Sequence, residues 1–189
     1  MQIGFIGTGV MGAAIAKNLM TAGYALTVYN RTKSKTDELV ANGATWAETP
    51  AAVAAQSDVV FTMVGFPADV EQVYFGDNGI FSKLQPGKTV IDMTTSQPKL
   101  AVKIAEYATK NGFHALDAPV SGGDIGAKNA TLTIMVGGET ATYNAMQPLF
   151  KVIGHQVNHF GAAGTGQHAK MANQIMIAGT MTGLTEMLL

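Results

Sequence analysis

The sequence contains no cysteine among its 189 residues, so it has neither a disulfide framework nor a thiolate nucleophile. The absence of cysteine is typical of proteins of a reducing compartment, and we expect the protein in the cytoplasm. Charge is also scarce, because only 13% of the residues are charged and the formal net charge is -1. The basic field that would hold nucleic acid or an anionic membrane is therefore missing, and neither is expected as a partner.

Long apolar runs are absent as well. Glycine, proline or a polar residue interrupts each apolar stretch before it reaches the length of a membrane span. The apolar start from Met1 to Ile6 lacks the basic residues of a signal peptide and is interrupted at Gly7. What the sequence does have is 47% hydrophobic residues, which is typical of a globular protein with a well-buried core.

Short apolar segments alternate with helical patterns along most of the chain. The predicted strands are Gln2–Ile6, Leu26–Tyr29, Val59–Val64, Thr89–Met93, His114–Asp117, Thr131–Val136 and Gln156–Phe160. The predicted helices between them are Met11–Thr21, Lys33–Asn42, Pro50–Ala55, Ala68–Phe75, Pro98–Asn111 and Ala141–Phe150. Strands that are apolar throughout are typical of sheets covered on both faces. The alternation predicts an α/β fold, a Rossmann-type doubly wound and mostly parallel sheet.

The last part of the chain has a different pattern. Residues 162–189 carry no turn signal after Gly166 and predict one long C-terminal helix, so we divide the chain into a Rossmann domain (1–161) and this helix (162–189). The helix stops in the apolar residues 187–189 without a capping residue, as expected of a chain cut from a longer protein. Its apolar surface favours a second copy as partner, so we expect a homo-oligomer formed through this helix.

A glycine motif follows the first strand. Residues Gly7, Thr8, Gly9, Val10, Met11 and Gly12 match G-x-G-x-x-G at the start of an amphipathic helix. The first glycine permits a tight turn, the second lets the backbone approach a pyrophosphate, and the third lets helix and strand pack closely. The helix N-terminus offers free N–H groups to the phosphates. In this context the motif predicts a nicotinamide dinucleotide site, and the alternative is an ordinary strand-to-helix turn.

The residues after the second strand indicate which dinucleotide is bound. An NAD site usually has Asp or Glu there to accept from the ribose hydroxyls, whereas this chain has Asn30, Arg31 and Thr32. No carboxylate is expected there to repel a 2′-phosphate, and Arg31 can bind one through a forked, charge-assisted contact. The sequence therefore predicts NADP(H) in preference to NAD(H), and the alternative is a solvated surface arginine.

Two later segments also lie at carboxyl ends of predicted strands, where ligands bind in open α/β sheets. Val64, Gly65 and Phe66 close the strand that begins at Val59, and Thr95 follows the next one. We expect all four residues to contact the dinucleotide. For the threonine, a helix cap before Pro98 is an alternative that is compatible with binding.

Two further segments carry groups suited to chemistry. In Asp117–Gly123, Ser121 offers a hydroxyl beside the backbone amides of Gly122 and Gly123, which can form a nest for a carboxylate. In Gly161–Asn173, Lys170 and Asn173 share one helix face. Burial would lower the pKa of such a lysine towards the range useful for proton transfer. The alternatives are a plain glycine-rich loop and a lysine that extends to the surface.

In their order and spacing, residues 4–12, 117–123 and 161–173 resemble the β-hydroxyacid dehydrogenase family. That family includes 3-hydroxyisobutyrate dehydrogenase, tartronate semialdehyde reductase and NADPH-dependent glyoxylate and succinic semialdehyde reductases. The dinucleotide domain is more distantly similar to that of 6-phosphogluconate dehydrogenase, although the Gly-Pro-Ser expected after its serine-glycine-glycine motif is missing after Gly123. The resemblance implies an NAD(P)-dependent oxidoreductase that transfers a hydride between the dinucleotide and a short 3-hydroxy acid or its semialdehyde.

The resemblance also implies roles for residues. Lys170 would be the general acid/base, Ser121, Gly122 and Gly123 would bind the substrate carboxylate, and Thr95 would lie near nicotinamide and substrate. Asn173 would orient the substrate or the lysine, although some relatives place this asparagine where the chain has Gln174.

Members of the family continue past the long helix into an all-helical domain that completes the substrate site and much of the dimer interface. The resemblance therefore implies that these 189 residues alone turn over poorly. Two alternatives stay open: a module that binds NADP without catalysis, and an imine-reducing relative. The presence of Ser121 and Lys170 disfavours the first, and Lys170 disfavours the second.

Overall fold

Strands and helices alternate along the chain in the computed structural model, which describes residues 1–189. The strands are β1 (Gln2–Ile6), β2 (Ala25–Tyr29), β3 (Thr45–Trp46), β4 (Val59–Thr62), β5 (Thr89–Asp92), β6 (His114–Asp117), β7 (Val120–Ser121), β8 (Leu132–Gly138) and β9 (Gly154–Gly161). The helices are α1 (Val10–Thr21), α2 (Asp37–Ala41), α3 (Pro50–Ala55), α4 (Pro67–Phe75), α5 (Pro98–Lys110), α6 (Gly123–Lys128), α7 (Thr140–Ile153) and α8 (Thr165–Leu188).

All nine strands form one sheet, in the order β3-β2-β1-β4-β5-β6-β8-β7, with β9 added to β8. Pairing is parallel from β3 through β6 and between β8 and β9, whereas β8 runs antiparallel to β6 and β7. The predicted Rossmann-type, mostly parallel sheet is therefore confirmed. The chain winds outward from β1 in one direction and from β4 in the other. Ligands in such sheets bind at this switch point, beyond the carboxyl ends of the strands.

Hydrophobic side chains cover both faces of the sheet, because successive residues of a strand point to opposite sides. In β4, Phe61 belongs to the core cluster beneath α1 and α7, and its neighbour Val60 belongs to the cluster beneath α3, α4 and α5. Phe61 stacks on Phe5 of β1 with ring centroids 6.0 Å apart. The continuous apolar pattern of β4 thus reflects a strand that is buried on both faces, as predicted.

The structure differs from the predicted elements at several places. The two-residue strands β3 and β7 are too short to show any sequence period. The segment after Gly122, where no helix was predicted, is the short helix α6, in which Gly126 and Ala127 are buried. The long helix begins at Thr165 rather than Ala162, because β9 continues to Gly161 and residues 162–164 make the turn between them.

Helix α8 packs on the sheet only through its first turns. Gly166, Gln167 and Lys170 are its buried residues, and from Met171 onward nearly all side chains are exposed. No helix in the chain, α8 included, is both long and apolar enough to cross a membrane.

A buried carboxylate lies at the carboxyl end of β5. Asp92 Oδ1 accepts a hydrogen bond from the Thr62 hydroxyl at 2.8 Å and another from the Thr94 N–H at 3.1 Å. The Thr62 hydroxyl lies 3.1 Å from the buried Tyr74 hydroxyl. Burial raises the pKa of Asp92 from 3.8 to about 6, and the two threonines offset part of that rise.

This raised pKa predicts a pH-dependent stability that Asp92→Asn removes. Because the folded-state pKa exceeds the unfolded value, the contribution of Asp92 is fully present below pH 3.8 and is lost as the pH rises through about 6. Relative to Asp92→Asn, the wild-type free energy of unfolding should fall by up to about 3 kcal/mol over that window. Urea unfolding at a series of pH values measures this difference.

Asp58→Asn is the control, because the pKa of Asp58 is shifted in the opposite direction. The Lys88 ammonium and the Gln2 N–H lower the pKa of Asp58, so its stabilising contribution is present above pH 3.8 and is lost as the pH falls through the lowered value. A difference between wild type and Asp92→Asn that does not change with pH would contradict the assignment to Asp92.

Candidate functional site

A cleft of about 720 Å³ opens at the carboxyl ends of β1, β2 and β4, a volume suited to a small-molecule ligand. It lies at the switch point of the sheet. It brings together all the predicted dinucleotide residues except Thr8 and Thr95; those that line it are Gly7, Gly9, Val10, Met11, Gly12, Asn30, Arg31, Thr32, Val64, Gly65 and Phe66.

The three glycines of the motif have different reasons to be glycine. Gly7 has a φ of +95°, and a Cβ there would collide with the carbonyl of Met63. A Cβ at Gly12 would collide with the carbonyl of Gly7. A Cβ at Gly9 would meet nothing within 4 Å, so the space in front of it is open beside the N-terminus of α1. The loop therefore fits a pyrophosphate that approaches the backbone at Gly9.

Asn30 joins the glycine loop to the segment after β2. Its Oδ1 accepts from the Thr8 N–H at 3.0 Å, and its Nδ2 donates to the Thr32 carbonyl at 2.9 Å. Thr8 itself is buried, with a hydroxyl that finds no partner within the chain. Asn30 thus lines the cleft and holds the glycine loop, and the contact of either residue with a dinucleotide stays a prediction.

Arg31 is paired with a carboxylate that its sequence surroundings do not reveal. Its Nη1 donates to Asp69 Oδ1, on the first turn of α4, at 2.9 Å. The segment after β2 carries no carboxylate of its own, but Asp69 from α4 reaches Arg31 because the segments after β2 and β4 meet at the cleft. The arginine side chain is 84% exposed and that of the aspartate 25%.

Lys170 lies on the packed face of α8, as the sequence predicted, and is 7% exposed. Burial lowers the pKa of its ammonium, and no carboxylate is near enough to offset that effect. Asn173, one turn later, is half-buried, and its Nδ2 donates to the side chain of Gln174 at 3.0 Å. Gln174 is exposed.

Asp117, at the end of β6, fixes the start of α8. Its Oδ1 accepts from the Gly164 N–H at 2.7 Å, and its Oδ2 accepts from the Gln167 N–H at 2.9 Å. Burial raises the pKa of Asp117, and these backbone donors offset part of the rise. The carboxylate therefore satisfies free N–H groups at the helix N-terminus and determines where Lys170 lies.

Gln167 connects α8 to the loop after β5. Its Nε2 donates to the Thr94 carbonyl at 2.7 Å, and its Oε1 accepts from the Ser96 N–H at 2.9 Å. The Thr94 hydroxyl in turn accepts from the N–H of Val64, which lines the cleft, at 3.0 Å. Hydrogen bonds thus link the dinucleotide cleft to the helix that carries Lys170. Thr95 is exposed in the middle of this linked loop.

The sequence pattern does not reveal Asp117 and Gln167 as functional. A polar residue three positions before Lys170, on the same face of an apolar helix, was the available signal for the glutamine. Its partners, however, lie more than seventy positions away in the chain and meet it only in the folded structure.

The predicted carboxylate site lies at the junction of β7 and α6. Ser121 is half-buried, and Gly122 and Gly123 are exposed with φ values of +133° and +63°. Backbones in this region can present successive N–H groups to an anion. These three residues do not line the dinucleotide cleft, and neither do Lys170 and Asn173, so their assignment to a substrate stays a prediction.

Comparison with known proteins identifies the domain that contains the cleft. Residues 2–161 match the family model described as the NAD binding domain of 6-phosphogluconate dehydrogenase. The chain is 42% identical over 189 residues to 2-hydroxy-3-oxopropionate reductase of Escherichia coli, which is all of this chain and 64% of that protein. The chain belongs to the β-hydroxyacid dehydrogenase family. The predicted family and the nicotinamide-dinucleotide domain are thereby confirmed.

Two other proteins show how far the similarity extends. An uncharacterised oxidoreductase of Bacillus subtilis is 52% identical over 184 residues, which are 97% of this chain and 64% of the relative. The structure of Mycobacterium tuberculosis 3-hydroxyisobutyrate dehydrogenase with L-serine superposes with a TM-score of 0.92 at 32% identity. That match covers 98% of this chain and 62% of the other. The chain thus spans less than two thirds of the length of these proteins.

The open space at Gly9 predicts that Gly9→Ala folds but loses the dinucleotide. The new methyl group enters the space that the pyrophosphate approaches, so NADPH binding measured by calorimetry should weaken about tenfold or more. Because no atom of the chain opposes the methyl group, the free energy of unfolding should change by no more than about 1 kcal/mol.

Gly179→Ala is the matched control, since a Cβ there also meets nothing within 4 Å and the residue lies on the exposed part of α8. It should leave the affinity for NADPH unchanged. Undiminished binding by Gly9→Ala would contradict the position given to the pyrophosphate.

Proposed function

We propose that this chain is the dinucleotide-binding part of an oxidoreductase that transfers a hydride between NADP(H) and a short 3-hydroxy acid or its semialdehyde. The observation that carries the proposal is the buried Lys170 on α8, the helix whose residue Gln167 is hydrogen-bonded to the loop beside the glycine-lined dinucleotide cleft. A largely buried lysine without a carboxylate partner costs stability, so its place on the packed face of α8 favours a chemical role.

The choice of NADP(H) rests on the position of Arg31. The guanidinium lies at the cleft beside Thr32 and Lys35 and is largely exposed, so most of its N–H donors are available to a 2′-phosphate. Its pairing with Asp69 is of the exposed kind that contributes little stability, and a phosphate can compete for it.

The glycine loop and Arg31 would hold the dinucleotide, which would supply the hydride for reduction or accept it in oxidation. Lys170 donates a proton to the carbonyl oxygen during reduction and takes it back during oxidation. Ser121, Gly122 and Gly123 bind the substrate carboxylate. Asn173 and Thr95 orient the substrate beside the lysine.

Two alternatives make different demands on these residues. A module that only holds NADP needs neither Lys170 nor Ser121, and an imine reductase has no need of this lysine as the acid for a carbonyl oxygen. The exposed apolar side chains of α8, such as Ile175, Met176 and Leu184, favour the predicted homo-oligomer. The oligomeric state and the cytoplasmic location stay predictions.

The dinucleotide preference is tested by calorimetric titration of the chain with NADPH and with NADH. We expect NADPH to bind tighter, and Arg31→Gln to reduce that advantage by about tenfold through loss of a charge-assisted contact. Lys17→Gln, which removes an exposed charge outside the cleft lining, serves as the control. Equal affinities for both dinucleotides in the wild type would contradict the assignment of Arg31.

The acid/base role is tested with Lys170→Met. Reduction of 2-hydroxy-3-oxopropionate, followed by the loss of NADPH absorbance, should fall by at least about a hundredfold because the proton donor is gone. NADPH affinity should stay within about twofold, since the lysine does not line the cleft. In the wild type, reduction should decline as the pH rises through the lowered pKa of Lys170, below the ordinary value of 10.5.

A second readout does not depend on turnover. Because its folded-state pKa is lowered, Lys170 binds protons less readily in the folded protein, and wild-type stability should rise relative to Lys170→Met as the pH approaches 10.5. Lys110→Met, at an exposed position of α5, should show neither effect. Retained turnover by Lys170→Met would exclude the lysine as the acid.

A further inference from the structure

The ion pair between Arg31 and Asp69 joins two segments that lie on either side of β1. Arg31 follows β2, and Asp69 lies on the first turn of α4, just after β4. Because β1 lies between β2 and β4 in the sheet, the pair bridges the cleft above the glycine loop that begins at the end of β1. It lies where the proposed 2′-phosphate contact would form.

The two partners of this bridge are held with unequal firmness. Asp69 Oδ2 accepts from the Phe66 N–H at 3.1 Å, so the carboxylate is fixed to the N-terminus of its own helix. The only side-chain hydrogen bond of Arg31 is the one to Asp69, and its side chain is 84% exposed. The aspartate is therefore the anchor, and the arginine is the partner that a ligand can draw away.

We propose that Asp69 is a specificity-determining residue that limits the preference of this site for NADP(H) over NAD(H). The proposal rests on the assignment of Arg31 to the 2′-phosphate made above. A dinucleotide with a free 2′-hydroxyl leaves the Arg31–Asp69 pair intact. A dinucleotide with a 2′-phosphate must share or displace it.

The electrostatic argument has two parts. The positive charge of Arg31 is neutralised by Asp69, so an incoming phosphate meets a neutral pair instead of a free cation. If the arginine turns to the phosphate, its ion pair with the anchored carboxylate is lost, which offsets part of the new contact. Both effects act on the phosphorylated dinucleotide and leave the other nearly unaffected. Lys35, also at the cleft, is the nearby cation that Asp69 does not neutralise.

Asp69→Asn separates this role from that of a helix cap. The asparagine keeps a carbonyl oxygen to accept from the Phe66 N–H, and it removes the charge and the second oxygen that accepts from Arg31. Calorimetric titration should give an NADPH affinity raised about fivefold, the scale of an exposed ion pair, and an NADH affinity changed by less than about twofold. The gain should shrink as salt is added, because the charges are exposed to solvent.

Asp77→Asn is the matched charge control. Asp77 lines the same cleft but is not the carboxylate that pairs with Arg31. It should raise the affinity for NADPH by less than Asp69→Asn does. An equal gain from both variants would mean that general cleft charge, and not the pair, sets the preference, and would overturn the proposal.

The double variant Arg31→Gln/Asp69→Asn completes a thermodynamic cycle. If Asp69 acts through the arginine, Asp69→Asn gives no gain in NADPH affinity when Arg31 is absent. A gain in NADPH affinity that persists without Arg31 would overturn the proposal. So would an Asp69→Asn variant that only weakens NADH binding, or one that changes both affinities equally and lowers the melting temperature. If Arg31→Gln alone leaves the ratio of NADPH affinity to NADH affinity unchanged, the assignment of Arg31 to the 2′-phosphate itself fails. If only the role of Asp69 is wrong, Arg31→Gln still lowers the ratio of NADPH affinity to NADH affinity.

Discussion

The candidate site depends on one buried carboxylate, Asp117, because it fixes the direction in which α8 leaves the sheet. Both of its oxygens accept N–H groups of the first turn, from Gly164 and Gln167. The approach is close enough that a Cβ at Gly166 would collide with the backbone of Met135 and with this carboxylate. The contact replaces water at the helix terminus with a fixed negative group, which suits the helix dipole.

Side-chain amides connect the other parts of the site. Asn30 holds the glycine loop to the segment that carries Arg31, and Gln167 holds α8 to the loop after β5. An amide both donates and accepts, so one such side chain can join two backbone segments without bringing a charge into the interior. Loops that converge from distant parts of the sequence are thereby held in a defined arrangement around the cleft.

Much of the fold and part of the site were predictable from local signals. The glycine motif, the apolar strand β4 and the lysine on the packed face of α8 each carry their pattern within a few neighbouring residues. The contact of Asp69 with Arg31 is different, because the two residues are thirty-eight positions apart and meet only where the sheet reverses its order. For the same reason the partners of Asp117 were not predictable. Short elements such as β3 and α6 were missed because they are too brief to display a period.

The way α8 is anchored has a mechanical consequence. The helix is held by Asp117 and Gln167 at its start, next to Gly164, whose φ is +88°, and it then extends away from the sheet. At about 1.5 Å per residue, Lys170 lies roughly 9 Å from that end and Leu188 roughly 36 Å. Lys170 thus lies close to the fixed end of the helix, and the C-terminal end of the helix lies far from it. If α8 rotates about its fixed end so that Leu188 moves by several ångströms, Lys170 moves by only about a quarter of that distance.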